Sequence, residues 1–145
     1  YGVWESGYTS TEADPRGIEA DGNLDGIYPD HLRQSDFVVE NMTIVNNAAN
    51  TTDNVDRMQD VIKIRRGAKA TITNALVKGS GGTIDLIDMN DSKGAGNAAS
   101  SISITHTLNF KNKLNGTLNT FTEPTTNTGA DASLFTWSGY NFSSL

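Results

Sequence analysis

Val61-Ile62-Lys63-Ile64-Arg65-Arg66-Gly67, followed shortly by Ala70-Thr71-Ile72-Thr73-Asn74-Ala75-Leu76-Val77, sets a short strand-like run against a longer one across a single glycine-containing turn. In the first run apolar residues alternate with cations, the period-two signature of a half-buried strand. The second run is longer and carries a polar residue, Asn74, in its middle. Both kinds recur. Gly17-Ile18-Glu19-Ala20-Asp21 and Thr83-Ile84-Asp85-Leu86-Ile87 repeat the short run, while Val39-Glu40-Asn41-Met42-Thr43-Ile44-Val45 and Ile104-Thr105-His106-Thr107-Leu108-Asn109-Phe110 repeat the long one. Asn41 to Asn74 is 33 positions, Asn74 to His106 is 32, and Val61 to Thr83 is 22. A period of this size marks a repeat architecture whose units bury their apolar faces only by stacking on one another. The expected fold is all-β, a right-handed parallel β-helix forming a single domain over 1–145. Its repeat coils cover about 15–110, with insertions at 29–36, 48–58 and 91–100. An irregular cap over 111–145 is closed by Phe135, Trp137, Tyr140 and Phe142.

Stacking like on like predicts columns. Ile18, Ala20, Ile62, Ile64, Ile84 and Leu86 are expected to face inward. Glu19, Lys63 and Asp85 are then expected outward, one above another at about 4.8 Å per coil, with Asp21 and Arg65 in the next column. Neighbouring opposite charges each contribute about 0.2–1 kcal/mol and favour this register over a slipped one. Asn41, Asn74 and His106 are expected in one column at a bend, where stacked amides bond each other and the turn backbone.

Composition narrows the function classes. The formal net charge of −6 opposes binding to nucleic acid, whose partners cluster Lys and Arg on one face. The absence of cysteine removes disulfides and thiolate metal sites. No run approaches the ~18 apolar residues of a membrane helix. The chain starts at Tyr1 without an initiating Met, so we expect a piece of a longer chain.

Several residues carry candidate chemistry. Glu19, Asp21, Asp25 and Asp30, with His31 nearby, offer oxygen ligands for Ca²⁺ or a carboxylate pair for glycoside cleavage; the alternative is a solvated loop and a salt ladder. Asp21-Gly22-Asn23-Leu24-Asp25-Gly26 has the start of a calcium loop but has Leu32 where a twelfth-position Glu is needed, so no cofactor is expected and Ca²⁺ is only weakly signalled. Lys63, Arg65 and Arg66 could neutralise a uronate, with Arg66 the one the ladder leaves over. Trp4, Tyr8, Trp137 and Tyr140 suit either sugar stacking or packing at the chain's two ends. His31 and His106 lack a third ligand for zinc, and no nucleophile-elbow or phosphate-loop motif occurs. The ligand-binding candidates are therefore Glu19, Asp21, Asp25, Arg66, Trp137 and Tyr140, with no catalytic or metal residues.

The stretches 17–21, 37–46 and 61–67, the run Ala70-Thr71-Ile72-Thr73-Asn74-Ala75-Leu76-Val77-Lys78-Gly79 and the closing Leu134-Phe135-Thr136-Trp137-Ser138-Gly139-Tyr140 resemble the C-terminal half of secreted β-helix lipoproteins of Bacteroidota. That resemblance implies export from a bacterium and an extracellular or outer-membrane-associated location. The expected role is a non-catalytic surface module for adhesion, glycan binding or surface-complex assembly, with a glycan or other outer-membrane proteins as partners. The alternative is a carbohydrate-active enzyme, lyase- or hydrolase-like, whose site is completed by further N-terminal coils.

Overall fold

A computed structural model of the chain describes residues 2–4, 15–22, 34–46, 58–79, 83–106 and 110–123. Its strands are β1 (Gly2–Trp4), β2 (Ile18–Asp21), β3 (Asp36–Glu40), β4 (Thr43–Asn46), β5 (Asp60–Arg65), β6 (Lys69–Gly79), β7 (Thr83–Asp88), β8 (Ser101–His106), β9 (Phe110–Asn115) and β10 (Thr120–Thr122). One sheet runs β1-β4-β6-β8-β10, with β3 also on β6, and the other runs β2-β5-β7-β9. All pairings between these strands are parallel. The chain passes from one sheet to the other and back, so each strand stacks on the equivalent strand of the previous coil. This is a parallel β-helix.

The interior is a stack of aliphatic side chains. Val61, Ile62, Ile64, Leu86 and Ile87 of one sheet meet Ile44, Ile72, Val77, Ile102 and Ile104 of the other, all at most 3% exposed. Burying each contributes about 1.5–3 kcal/mol, which is what the period-two pattern of the strands secures. The coil ends where Gly79, at φ 126, crosses Asn46. A Cβ there would run into the Asn46 backbone oxygen, so glycine is required.

The bend in the longer strands is an asparagine feature. Asn41 and Asn74 are both left-handed, at φ 57 and 56. The Asn74 Nδ2 donates to Asn41 Oδ1 at 2.8 Å, and the Asn41 N–H donates to the Thr73 carbonyl at 3.0 Å. Asn accepts this backbone conformation at less cost than most L-residues because its short amide bonds locally. Asn74→Ala should cost about 1–2 kcal/mol, combining left-handed strain with a lost hydrogen bond. Asn74→Gly should recover the backbone part only. Urea unfolding of the two variants checks this, and a neutral alanine variant would refute the ladder.

The structure corrects the sequence reading in three places. Glu19 pairs with Lys63 and Asp21 with Arg65 as expected, but Lys63 lies opposite Asp88 and Asp60 opposite Asp85. The third coil is thus displaced by three residues, and Ile84 is only half-buried while Ile87 and Met89 reach the core. In the other sheet, Ile72 pairs with Ile102 and Ala75 with Ile104, with a register shift between them, so His106 faces Val77 and not Asn74. That coil has one residue fewer at the bend, which removes the asparagine position. Thirdly, the segment from Lys111 is not irregular: β9 pairs with β7 and β10 with β8, so the coils continue to Thr122. Residues 124–145, with the expected aromatic cap, lie outside the described residues. The insertion at 91–100 is folded. It crosses the turn after β5, with Gly94 and Ala95 carbonyls accepting from the Arg66 and Gly67 amides at 2.6 and 2.9 Å.

Candidate functional site

The polar face of the β2-β5-β7-β9 sheet gathers most of the described charges. Parallel stacking makes equivalent positions neighbours, so residues 44 and 25 positions apart meet. Arg65, on β5, is the hub. Its Nε donates to Asp21 at 2.6 Å, its Nη2 to Glu19, and its Nη1 reaches Asp91 at 3.5 Å. Arg66 follows at φ 55, which turns its side chain back to Asp21, with Nε 3.5 Å from Oδ1. Arg16, just before β2, bridges Glu19 and Asp60, each at 3.2 Å. The Arg65 guanidinium is held above its ordinary pKa, chiefly by its hydrogen bond to Asp21. Asp91 is lowered: its partial burial acts upward, but the Lys93 backbone N–H and the charge of Arg65 outweigh it.

Adjoining this network along the same strands is a second, drier group. Asp60, Asp85 and Asp88 are each 5% exposed, and their carboxylate oxygens lie within 4.8 Å of one another. Such a group could draw in a cation, but Arg16 and Lys63 already supply positive charge from the same face. Lys63 donates to Asp88 and to the Asn90 carbonyl, the latter at 2.9 Å. Asn112 and Asn115 of β9 donate to Asp85 and Asp88 at 2.7 and 3.1 Å. Asp60 is pushed up from 3.8 to about 6 by burial and the charge of Asp88, against the opposing pull of Arg16 and Lys63. The positions 16/60/85/112 and 19/63/88/115 are thus two polar columns three residues apart on successive coils.

Of the six sequence candidates, the structure brings Glu19, Asp21 and Arg66 together on this face; Arg66 is paired with Asp21 rather than left over. Asp25, Trp137 and Tyr140 lie outside the described residues, as do Asp30, His31 and Tyr8. Asp60, Asp85 and Asp88 were not singled out as a group, because the expected register placed Asp85 beside Lys63. His106 is not a bend residue. It is 5% exposed, bonded through Nε2 to Glu123, and set edge-on to Phe110 with ring centroids 5.1 Å apart. Glu123 also takes Lys113 at 2.9 Å, tying the last described coils together.

Beside the charged face, a cleft of about 540 Å³ is lined by Ile18, Glu19, Ala20 and Asp21 of β2 and by Ser35, Asp36 and Phe37 at the start of β3. The Ser35 hydroxyl donates to the Asp21 carbonyl at 2.7 Å and fixes one wall. No helix among the described residues is long and apolar enough to cross a membrane.

A family model described as a pectate-lyase-like β-helix domain matches residues 1–140. No curated protein and no solved structure gives a significant match.

Proposed function

The chain belongs to the pectate-lyase-like β-helix domain family, and from that premise we propose that it is a non-catalytic, glycan-binding β-helix module displayed at a bacterial cell surface. Export and surface display are parts of this proposal, supported by the resemblance to secreted β-helix lipoproteins. A carbohydrate-related role fits the family. The observation that carries the non-catalytic reading is the mutual pairing of the charged face: Glu19, Asp21, Arg65, Arg66 and Asp91 hold one another in fixed orientations. Groups held this way present donors and acceptors to sugar hydroxyls without reorganising. A lyase base or glycosidase acid needs instead a reachable group free to exchange its proton.

A second reading, glycan cleavage, is favoured by Asp60, whose pKa near 6 and neighbouring carboxylates are features of catalytic acids. Its 5% exposure and its bridge to Arg16 keep it from a substrate, which favours binding over chemistry. Titration calorimetry of the intact chain against a glycan panel tests the proposal. We expect saturable binding with the glycan recovered intact, weakened about tenfold by Asp21→Asn, the loss of one charged hydrogen bond. Shortened or unsaturated oligosaccharides in the recovered ligand would overturn it.

A further inference from the structure

Lys63 is a primary amine held out of water, 7% exposed, against an equally buried carboxylate. It and Asp88 are partners on the adjacent parallel strands β5 and β7, whose backbones stand about 4.8 Å apart. The two oxygens of Asp88 have different neighbours. Oδ2 contacts the Lys63 Nζ. Oδ1 accepts from the Asn90 N–H at 2.8 Å and from the Asn115 Nδ2 at 3.1 Å. A third group, the carboxylate of Asp60, lies within 4.8 Å of that of Asp88.

We propose that Lys63 and Asp88 condense into an intramolecular amide that ties successive coils together, with Asp60 carrying protons from the amine to the leaving oxygen. The Lys63 ammonium first gives a proton to Asp60, and the neutral Nζ attacks Asp88 Cγ to form the N–C bond. Two protons in all pass from Nζ through Asp60 to Oδ2. The Cγ–Oδ2 bond breaks, Oδ2 leaves as water, and Oδ1 remains as the amide carbonyl. Nothing is oxidised or reduced, and Asp60 ends as it began.

The site suits this step in four ways. Nucleophile and carbonyl carbon are fixed side by side, which removes the entropic barrier of a bimolecular reaction. The two N–H donors on Oδ1 face the oxygen on which negative charge grows during attack. Asp60, pushed up to about 6 by burial, exchanges its proton readily near neutral pH, as a proton carrier must. Condensation also replaces a buried ion pair by a neutral amide and leaves two crowded carboxylates in place of three, lifting a desolvation penalty. No external substrate has to reach these groups. The ion pair is the state from which the bond forms, and in a chain without cysteine the amide is a cross-link that no reductant opens.

Mass spectrometry of the denatured intact chain, after incubation of the folded protein at neutral pH, tests the proposal. We expect a species lighter by one water. Trypsin should release from it one branched peptide joining 58–65, uncut at Lys63, to 79–93. Lys63→Arg keeps the positive charge without the amine and should retain full mass, and Asp60→Asn should condense about 100-fold more slowly. Full mass in the wild-type chain after prolonged incubation would overturn the proposal. So would water loss with both peptides linear, as an imide at Asp21-Gly22 or Asp25-Gly26 would give, or an Asp60→Asn chain that condenses at the wild-type rate.

Discussion

Lys63→Met should lower the unfolding free energy by about 3–5 kcal/mol, the usual cost of removing one partner from a buried ion pair. Methionine keeps the aliphatic stem, so the loss reports the charge and not a cavity. Lys63 is 7% exposed, and its ammonium serves Asp88 and the Asn90 carbonyl. Without it, Asp88 keeps the Asn90 N–H at 2.8 Å and the Asn115 amide at 3.1 Å, yet still stands within 4.8 Å of Asp60 and Asp85. Those neutral donors do not offset three adjacent buried carboxylates. Adding Asp88→Asn to Lys63→Met should restore part of the loss, because the amide oxygen still accepts from Asn90 while the orphaned charge is gone. Urea unfolding of the single and double variants measures both steps. A single-variant loss below about 1 kcal/mol would mean that the cluster is solvated and that this pair is an ordinary surface bridge.

That cluster is also where the sequence was hardest to read. The alternation of short and long runs identified the parallel β-helix, and the register of the first two short strands follows from matching apolar residues and opposite charges. In the third coil, Ile84-Asp85-Leu86 and Ile87-Asp88-Met89 are near copies three residues apart. Both place an apolar pair inward and an aspartate opposite Lys63, so neither hydrophobicity nor charge separates them. Only three-dimensional packing decides, and it chooses Asp88. The long strands are displaced as well: the expected column sets Ile72 beside Ile104, whereas Ile72 pairs with Ile102, two residues earlier, and Ile104 lies opposite Ala75 after the register shift. β9 was missed because Phe110-Lys111-Asn112-Lys113-Leu114-Asn115 has no β-branched residue and two exposed lysines, so its strand character comes from pairing with β7 and not from propensity. Glu19, Asp21 and Arg66 were legible because their columns depend only on the first two coils. The buried acids were not, because they depend on the third.

The pH dependence of stability isolates Asp60 from the rest of the face. Its carboxyl is raised in the fold from 3.8 to about 6. Between those values the folded chain holds a proton that the unfolded chain releases, so the stabilisation is full below the unfolded value and fades as pH rises through the folded one. A shift of this size amounts to about 3 kcal/mol, of which roughly 1.4 kcal/mol falls between pH 5 and 7.5. Asp91 and Glu123 act with the opposite sign. Burial raises both, but the Lys93 N–H and Arg65 on Asp91, and Lys113 and His106 on Glu123, leave each below its ordinary value. Their stabilisation is present above the unfolded values of 3.8 and 4.5 and is lost as pH falls through the folded ones. The chain should therefore be most stable in mildly acidic solution and lose stability toward neutrality. Asp60→Asn keeps an oxygen for Arg16 and removes the titrating proton. It should flatten the decline above pH 5 and stabilise the fold at pH 7.5, by up to about 3 kcal/mol. Thermal and urea unfolding of both proteins at pH 5 and 7.5 decide the matter. A wild-type chain more stable at pH 7.5 than at pH 5, or an asparagine variant weaker than wild type at pH 7.5, would show that Asp60 is ionised and well satisfied in the fold.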